Sequence, residues 1–370
     1  MIEIKIVQTK SELMDFIKLP WKIYKGDQYW VPPLIMDRKK LLNKQKNPFF
    51  QHAEAEYFLA YSNGELVGRI AAIKNDLHNE VHKDKVGFFG FFESINDQNV
   101  ANTLFEAAKN WLKEKGLTEM RGPANPSSND EYGMLLEGFN DSPKILMTYN
   151  PKYYLDLCEN FGLSKIKDLY AYKLESDKVL SVDKIRRVAE IAQQRSKMVL
   201  KPLDKKNFRA ELDKVKYVYN KTWAPNWGFV PMTDAEIEAM AADLKPLVEP
   251  IGVYFGEIDG KLVGFSLAIR DFNFLLKTCN GKLIPFLWKL FTQKNSIPWA
   301  RVITLGIIPE YQKRGLDAVF YYEIVRKARE IGITLGEASW VLEDNEMMTR
   351  GAELMQGEIY KKYRIYEMKI

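Results

Sequence analysis

Two stretches of the chain are copies of one another, so whatever element the first builds, the second must build again. YFLAYSNGELVGRIAAI at residues 57–73 aligns without a gap on VYFGEIDGKLVGFSLAI at residues 253–269. The shared positions carry structure: Gly64 with Gly260, Leu66 with Leu262, Val67 with Val263, Gly68 with Gly264, Ala72 with Ala268 and Ile73 with Ile269. In each copy two apolar runs flank Asn63-Gly64 or Asp259-Gly260, two-residue loops that favour a type I′ hairpin turn because both residues tolerate positive φ. After each hairpin comes another apolar strand and an amphipathic helix: residues 86–92 then 100–115 in the first copy, 301–308 then 317–331 in the second. A charged region between residues 174 and 202 surrounds a helical stretch at 182–195 that starts the second copy. The pattern predicts a duplicated chain of strands and helices, α/β (α+β), with domains at 1–175 and 176–370.

Composition excludes several classes of function. With 370 residues, 46% of them hydrophobic, the chain can fill two cores. Its 54 basic and 49 acidic residues leave a net charge of only +5, which argues against a nucleic-acid-coating protein. Cys158 and Cys279 stand far apart, indicating neither a disulfide framework nor a zinc ribbon and pointing to a reducing cytoplasm. The N-terminus alternates like a strand and lacks the order of a secretory signal. The most apolar region, residues 272–291, is interrupted by Lys277, Asn280, Lys282, Pro285 and Lys289, so no spanning helix and no membrane partner are expected. The aromatic insertion at 272–299 reads as packing between domains in preference to a lid or a membrane-touching segment. His78 and His82 lie four apart without the His-Glu-x-x-His pattern, so no metal site is expected, and neither a serine-hydrolase elbow nor a P-loop occurs.

The segment from Thr304 to Ala318, TLGIIPEYQKRGLDA, joins an apolar run to a proline turn, a basic loop with Gly315, and the start of a helix. A helix start leaves backbone N–H groups unpaired at the positive end of its dipole, so a loop exposing them attracts a polyphosphate, and Lys313 and Arg314 add charge. Pro309, Tyr311, Gln312 and Gly315 resemble, in order and spacing, the pyrophosphate motif of the GCN5-related N-acetyltransferase (GNAT) family. The last small residue of that motif is replaced by Asp317, whose carboxylate suits a helix start but repels a pyrophosphate. The first copy has Ser94 to Asn99 at this place, with no glycine and no basic residue, and so reads as a degenerate copy.

The resemblance implies tandem GNAT-like domains, each a mixed, mostly antiparallel sheet flanked by helices, with an acyl-coenzyme A co-substrate, acetyl-CoA or a longer acyl-CoA, and no metal. The backbone at Leu305 to Ile307 would pair with the pantetheine arm, and Gln312, Lys313, Arg314, Gly315, Leu316, Asp317 and Ala318 would hold the pyrophosphate. Asn345 matches the position that meets pantetheine in the family and reads equally as a helix N-cap. The implied reaction is direct acyl transfer to an amine, small molecule or peptide, by an N-acyltransferase. The position of the family's general-acid tyrosine holds Ala352; Tyr360 is a substitute, and Glu337 and Glu343 are conceivable bases, although a strand or turn glutamate is ordinarily solvated. The long polar stretch at 121–151 suggests an acceptor pocket with Asn129, Glu131 and Tyr132. The alternative is a non-catalytic binding or scaffold protein on the same fold.

Overall fold

Both duplicated hairpins form, and their turn residues take the positive φ that the dipeptides favour: 50° and 80° at Asn63-Gly64, 49° and 74° at Asp259-Gly260. The computed structural model describes residues 1–224, 226–249 and 252–370. Two compact units emerge: Met1–Asp168 with Leu276–Leu287 and Lys361–Ile370, and Leu169–Leu275 with Trp288–Tyr360.

In the first unit, β1 (Ile2–Ile6), α1 (Lys10–Ile23) and α2 (Ile35–Leu41) precede the hairpin β2 (Ala53–Ser62) and β3 (Glu65–Asn75). Then come α3 (Asp76–His82), β4 (Val86–Ser94), α4 (Gln98–Glu114) and β5 (Glu119–Gly122). The polar stretch that follows is ordered as three short strands, β6 (Ala124–Asn125), β7 (Glu131–Tyr132) and β8 (Met134–Glu137), before α5 (Tyr154–Phe161) and β9 (Ser164–Glu175). The second half contains α6 (Ser176–Ser181), α7 (Asp183–Ser196), β10 (Val199–Pro202), α8 (Phe208–Trp223) and α9 (Asp234–Leu244). Its hairpin is β11 (Val253–Ile258) and β12 (Lys261–Arg270), followed by α10 (Asn273–Leu276), α11 (Leu283–Gln293) and β13 (Trp299–Ile307). The chain closes with α12 (Leu316–Glu330), β14 (Leu335–Leu342), α13 (Glu346–Leu354) and β15 (Glu358–Lys369).

The first unit orders its strands β1-β2-β3-β4-β5-β15, with β8 also on β15. The second orders them β9-β14-β13-β12-β11-β10. Each sheet is antiparallel except for one parallel pair, β4 with β5 and β13 with β14, each joined by a crossover helix as parallel neighbours require. α4 buries Val100, Leu104, Phe105, Ala108 and Leu112 in the first core. α12 buries Leu316, Val319, Phe320 and Ile324 against Val263 and Ala268 in the second. The strand beside β5 is β15, from the far end of the chain, and the strand beside β14 is β9, from before residue 176. Each repeat therefore lends its last strand to the sheet of the other.

His78 is buried in the first unit with Asp84 3.4 Å away, and burial pushes its imidazole down to about 3. Among the described residues no group of acidic, histidine and cysteine side chains could hold a metal ion, and no helix is long and apolar enough to cross a membrane.

Candidate active site at the parting of β13 and β14

The parallel strands β13 and β14 stay in register from Trp299 opposite Leu335 to Val302 opposite Ala338 and then form no further pair, although they continue to Ile307 and Leu342. Their outer edges remain paired: β12 accompanies β13 to Ile307, and β9 accompanies β14 to Leu342. The opening thus lies between two strands that are each held from behind. It leaves the edge of β13 at residues 303–307 without a strand partner in β14, where an extended ligand can add itself as a strand.

At the top of this opening the chain turns through Pro309–Tyr311 into α12. Gln312 Nε2 donates to the Ile307 carbonyl at 2.9 Å, tying the turn to the strand end. Lys313 and Gly315 adopt φ of 60° and 73°, left-handed conformations that bend the backbone sharply from the extended Gln312 into the helix. A Cβ on Gly315 would meet Ala192 and Val188 only at 3.5–3.6 Å, so its backbone conformation, not a shortage of space, calls for glycine here. As N-cap of α12, Gly315 supplies no side chain to the first N–H groups. Lys313 and Arg314 are exposed, and Arg314 lies 5.2 Å from the Tyr311 ring. Leu316 and Ala318 put their side chains into the core, so they can serve an anion only through their N–H groups. Asp317 is half-buried in the first turn; burial raises its carboxyl, while the N–H groups of residues 317 and 318 work in the opposite direction.

The corresponding place in the first unit is filled by its own chain. Gly68 and Gly264 are aligned residues, and they pair with Ser94 and Ile307, which makes Ser94 the counterpart of Ile307. Ser94 donates its N–H to Tyr154 Oη at 2.9 Å and accepts from Tyr153 Oη at 2.7 Å. Gly90 lies so close to the chain after β5 that a Cβ would stand 1.7 Å from the Ala124 carbonyl oxygen, and Asn125 Oδ1 accepts from the Phe91 N–H. Helix α4 is capped by Asp97, which accepts from the Asn99 N–H at 2.8 Å. An anion there would compete with a fixed carboxylate.

Below the opening of the second unit, Arg301 and Glu337 are direct neighbours across β13 and β14 and both are buried, 3% and 0% exposed. Ser339 Oγ donates to Glu337 Oε1 at 2.6 Å, Arg301 Nε donates to Ser339 Oγ at 2.9 Å, and Tyr360 Oη donates to Glu337 Oε2. Two of the three sequence candidates for proton transfer, Glu337 and Tyr360, therefore meet. The expectation that a strand glutamate is solvated is corrected for Glu337: register places it beside an arginine whose charge offsets the cost of burial. Glu343 lies in the turn between β14 and α13. Tyr360 belongs to β15, not to α13, so it reaches the site from a strand.

Sequence reasoning overlooked Arg301, Ser339, Thr304 and Trp223. Thr304 Oγ1 is buried without a protein partner at the level where the strands part, and a buried hydroxyl of this kind suits a polar ligand group. Two residues on, Gly306 admits the Trp223 ring of α8, which stacks on Tyr219 at 4.9 Å; a Cβ on Gly306 would stand 2.5 Å from that ring. The alternation Arg301, Thr304, Gly306 just ahead of the turn was the available signal, obscured by the bulge between Leu267 and Ala268.

Asn345 Oδ1 accepts from the Met348 N–H at 3.1 Å and so caps α13, leaving its amide donors as what it can offer a ligand. Ala352 is buried; beside it, the Tyr321 hydroxyl from α12 occupies the space over Gly351. In the first unit Glu131 is paired with Arg38, Asn129 donates its N–H to Ser127 Oγ at 3.1 Å, and Tyr132 is buried, contacts that order the loop. A cavity of about 60 Å³ lies toward the far end of α12 from Gly315, lined by Val302, Ile324 and Ala328. It is smaller than the roughly 150 Å³ that holds a benzene ring, too small for an acyl chain.

Two relatives extend over almost the whole chain. The bacterial ceramide synthase of Caulobacter vibrioides is 36% identical over 98% of this chain and 96% of its own length, and Protein YghO of Escherichia coli is 32% identical over 98% and 94%. The chain belongs to the family of the bacterial ceramide synthase. No family model matches it. The family member's fold is that of tandem GNAT proteins. A tandem GNAT protein from the clavulanic acid biosynthesis pathway superposes with a TM-score of 0.58 at 11% identity, covering 100% of this chain and 98% of that one. A probable N-acyltransferase from Enterococcus faecalis gives 0.56 at 8% identity, covering 100% and 73%. The GNAT resemblance and the α/β tandem architecture expected from sequence are thus found.

Proposed function

We propose that this chain is an acyl-CoA-dependent N-acyltransferase whose acceptor is a long-chain amino alcohol, the amine from which a ceramide is made. The observation that carries acyl transfer is the parting of β13 and β14 directly below the uncapped, basic start of α12, absent from the first copy because that copy fills the same space. The name of the relative in C. vibrioides supports the choice of amine. In this reading the strand edge at 303–307 holds the pantetheine arm, and Gln312 to Ala318 hold the pyrophosphate. The amine nitrogen attacks the thioester carbonyl, the C–S bond breaks, and coenzyme A leaves as the thiol. Glu337 takes the proton that the ammonium loses to become the attacking amine, and Tyr360, already bonded to Glu337, is placed to supply one to the departing sulfur and regain it from Glu337. Holding amine and thioester together provides much of the acceleration.

Incubating the full chain with palmitoyl-CoA and sphinganine, with product read by mass spectrometry, tests the proposal. N-acylsphinganine formation at a rate well above that with acetyl-CoA or a short amine is expected. Coenzyme binding without any acyl product from a panel of long-chain and short amines would favour the non-catalytic reading.

Asp317 supplies a further prediction. Its charge stands at the helix start that the pyrophosphate would use, so Asp317→Asn is expected to tighten acyl-CoA binding by about tenfold near neutral pH. Because burial raises the Asp317 carboxyl, wild-type affinity should rise toward that of the variant as pH falls through the upper end of the carboxylate range, while the variant stays flat. Calorimetric titration at several pH values reads both. Weaker binding by Asp317→Asn would mean that the carboxylate holds the ligand in place.

A further inference from the structure

α11 presents its apolar face outward. Ile284, Leu287, Trp288 and Phe291 follow the i, i+3, i+4, i+7 spacing of one helix face and are 81%, 41%, 63% and 85% exposed, while Phe286 is 6% exposed and holds the helix from behind. These four large apolar side chains stand in water. A row of large apolar groups in water is ordinarily a docking surface.

Its charges indicate what docks. Residues 272–299 contain Lys277, Lys282, Lys289 and Lys294 and no acidic residue, whereas at the chain's average of 49 acids in 370 a stretch of this length would carry three or four. A second copy laid on this face would bring two lysine-rich, acid-free segments together. An anionic surface would be attracted, and a helix of 11 residues with Trp and Phe on one face and lysines around it has the build of an interfacial helix lying in the plane of a bilayer. We infer that α11 docks the protein on anionic lipid bilayers, with Ile284, Trp288 and Phe291 entering the headgroup region and Lys282 and Lys289 meeting lipid phosphates, while Lys294 stays with Glu249 and Lys277 with Ser142. This replaces the expectation of no membrane partner, and it stands independently of acyl transfer because docking needs no coenzyme.

Vesicle sedimentation of the full chain tests it. Wild type should sediment with phosphatidylglycerol-containing phosphatidylcholine vesicles, and binding should weaken with salt. The triple variant Ile284→Ser, Trp288→Ser, Phe291→Ser should partition at least about tenfold less with an unchanged melting temperature, since it alters only exposed side chains. Lys282→Glu and Lys289→Glu, which leave the apolar face intact, should each weaken binding to anionic vesicles about fivefold or more. A wild type that stays in the supernatant, a triple variant that sediments like wild type, or binding to pure phosphatidylcholine that ignores the lysine changes would overturn the inference. So would concentration-dependent self-association that the triple variant abolishes while wild type ignores vesicles.

Discussion

Replacing Glu337 by glutamine is expected to lower kcat for acyl transfer by about 10²- to 10⁴-fold, the range typical of a lost general base. Glutamine keeps the shape of the side chain, but it leaves Arg301, 3% exposed, facing a neutral partner. Breaking a buried ion pair costs about 3–5 kcal/mol, so the variant should also melt lower. Tyr360→Phe separates the two effects. It removes the hydroxyl bonded to Glu337 Oε2 and leaves the Arg301–Glu337 pair in place, so it should slow turnover with little change in melting temperature. If both variants keep the wild-type turnover number, the network is structural and the base lies elsewhere.

Cutting the chain after Glu175 is expected to leave neither half folded alone. A 1–175 fragment lacks residues 361–370, including Tyr363, Ile365 and Tyr366, all 0% exposed. Losing large buried side chains costs about 2–5 kcal/mol each, and three of them rival the roughly 5–15 kcal/mol that stabilises a whole domain. A 176–370 fragment lacks Tyr172 and Leu174, which pack in the core with Tyr321 and Ala338. Circular dichroism and hydrogen exchange should show each fragment unfolded or molten, and co-expression should restore a folded complex. Cooperative unfolding of either fragment alone would show that its borrowed strand is dispensable.

Local signals and long-range register differ in how far sequence discloses them. The two hairpins were legible because Asn63-Gly64 and Asp259-Gly260 encode their own turn, and the basic turn at 309–315 because proline, positive φ and the start of α12 fall within a few residues. The exchange of β9 and β15 was not, since nothing in a strand's alternation names its neighbour. The Glu337–Tyr360 contact joins residues 23 apart across an intervening helix, so it emerges only once β14 and β15 are positioned. The aromatic insertion at 272–299 stood out in the sequence, but its composition could not say whether its large side chains point into a core or out to water. The first copy's loss of motif was readable, whereas the stronger reason, Ala124 and Asn125 lying against β4, depends on tertiary packing.

Titration of the full chain with palmitoyl-CoA, followed by thermal unfolding, tests most directly whether the second unit holds an acyl-CoA at the start of α12. Wild type should gain about 2.7 kcal/mol at a hundredfold excess over Kd, and Lys313→Glu with Arg314→Glu, both at exposed positions, should shift the whole dependence to higher concentration. The same dependence in the double variant, or no stabilisation by any acyl-CoA, would contradict that placement.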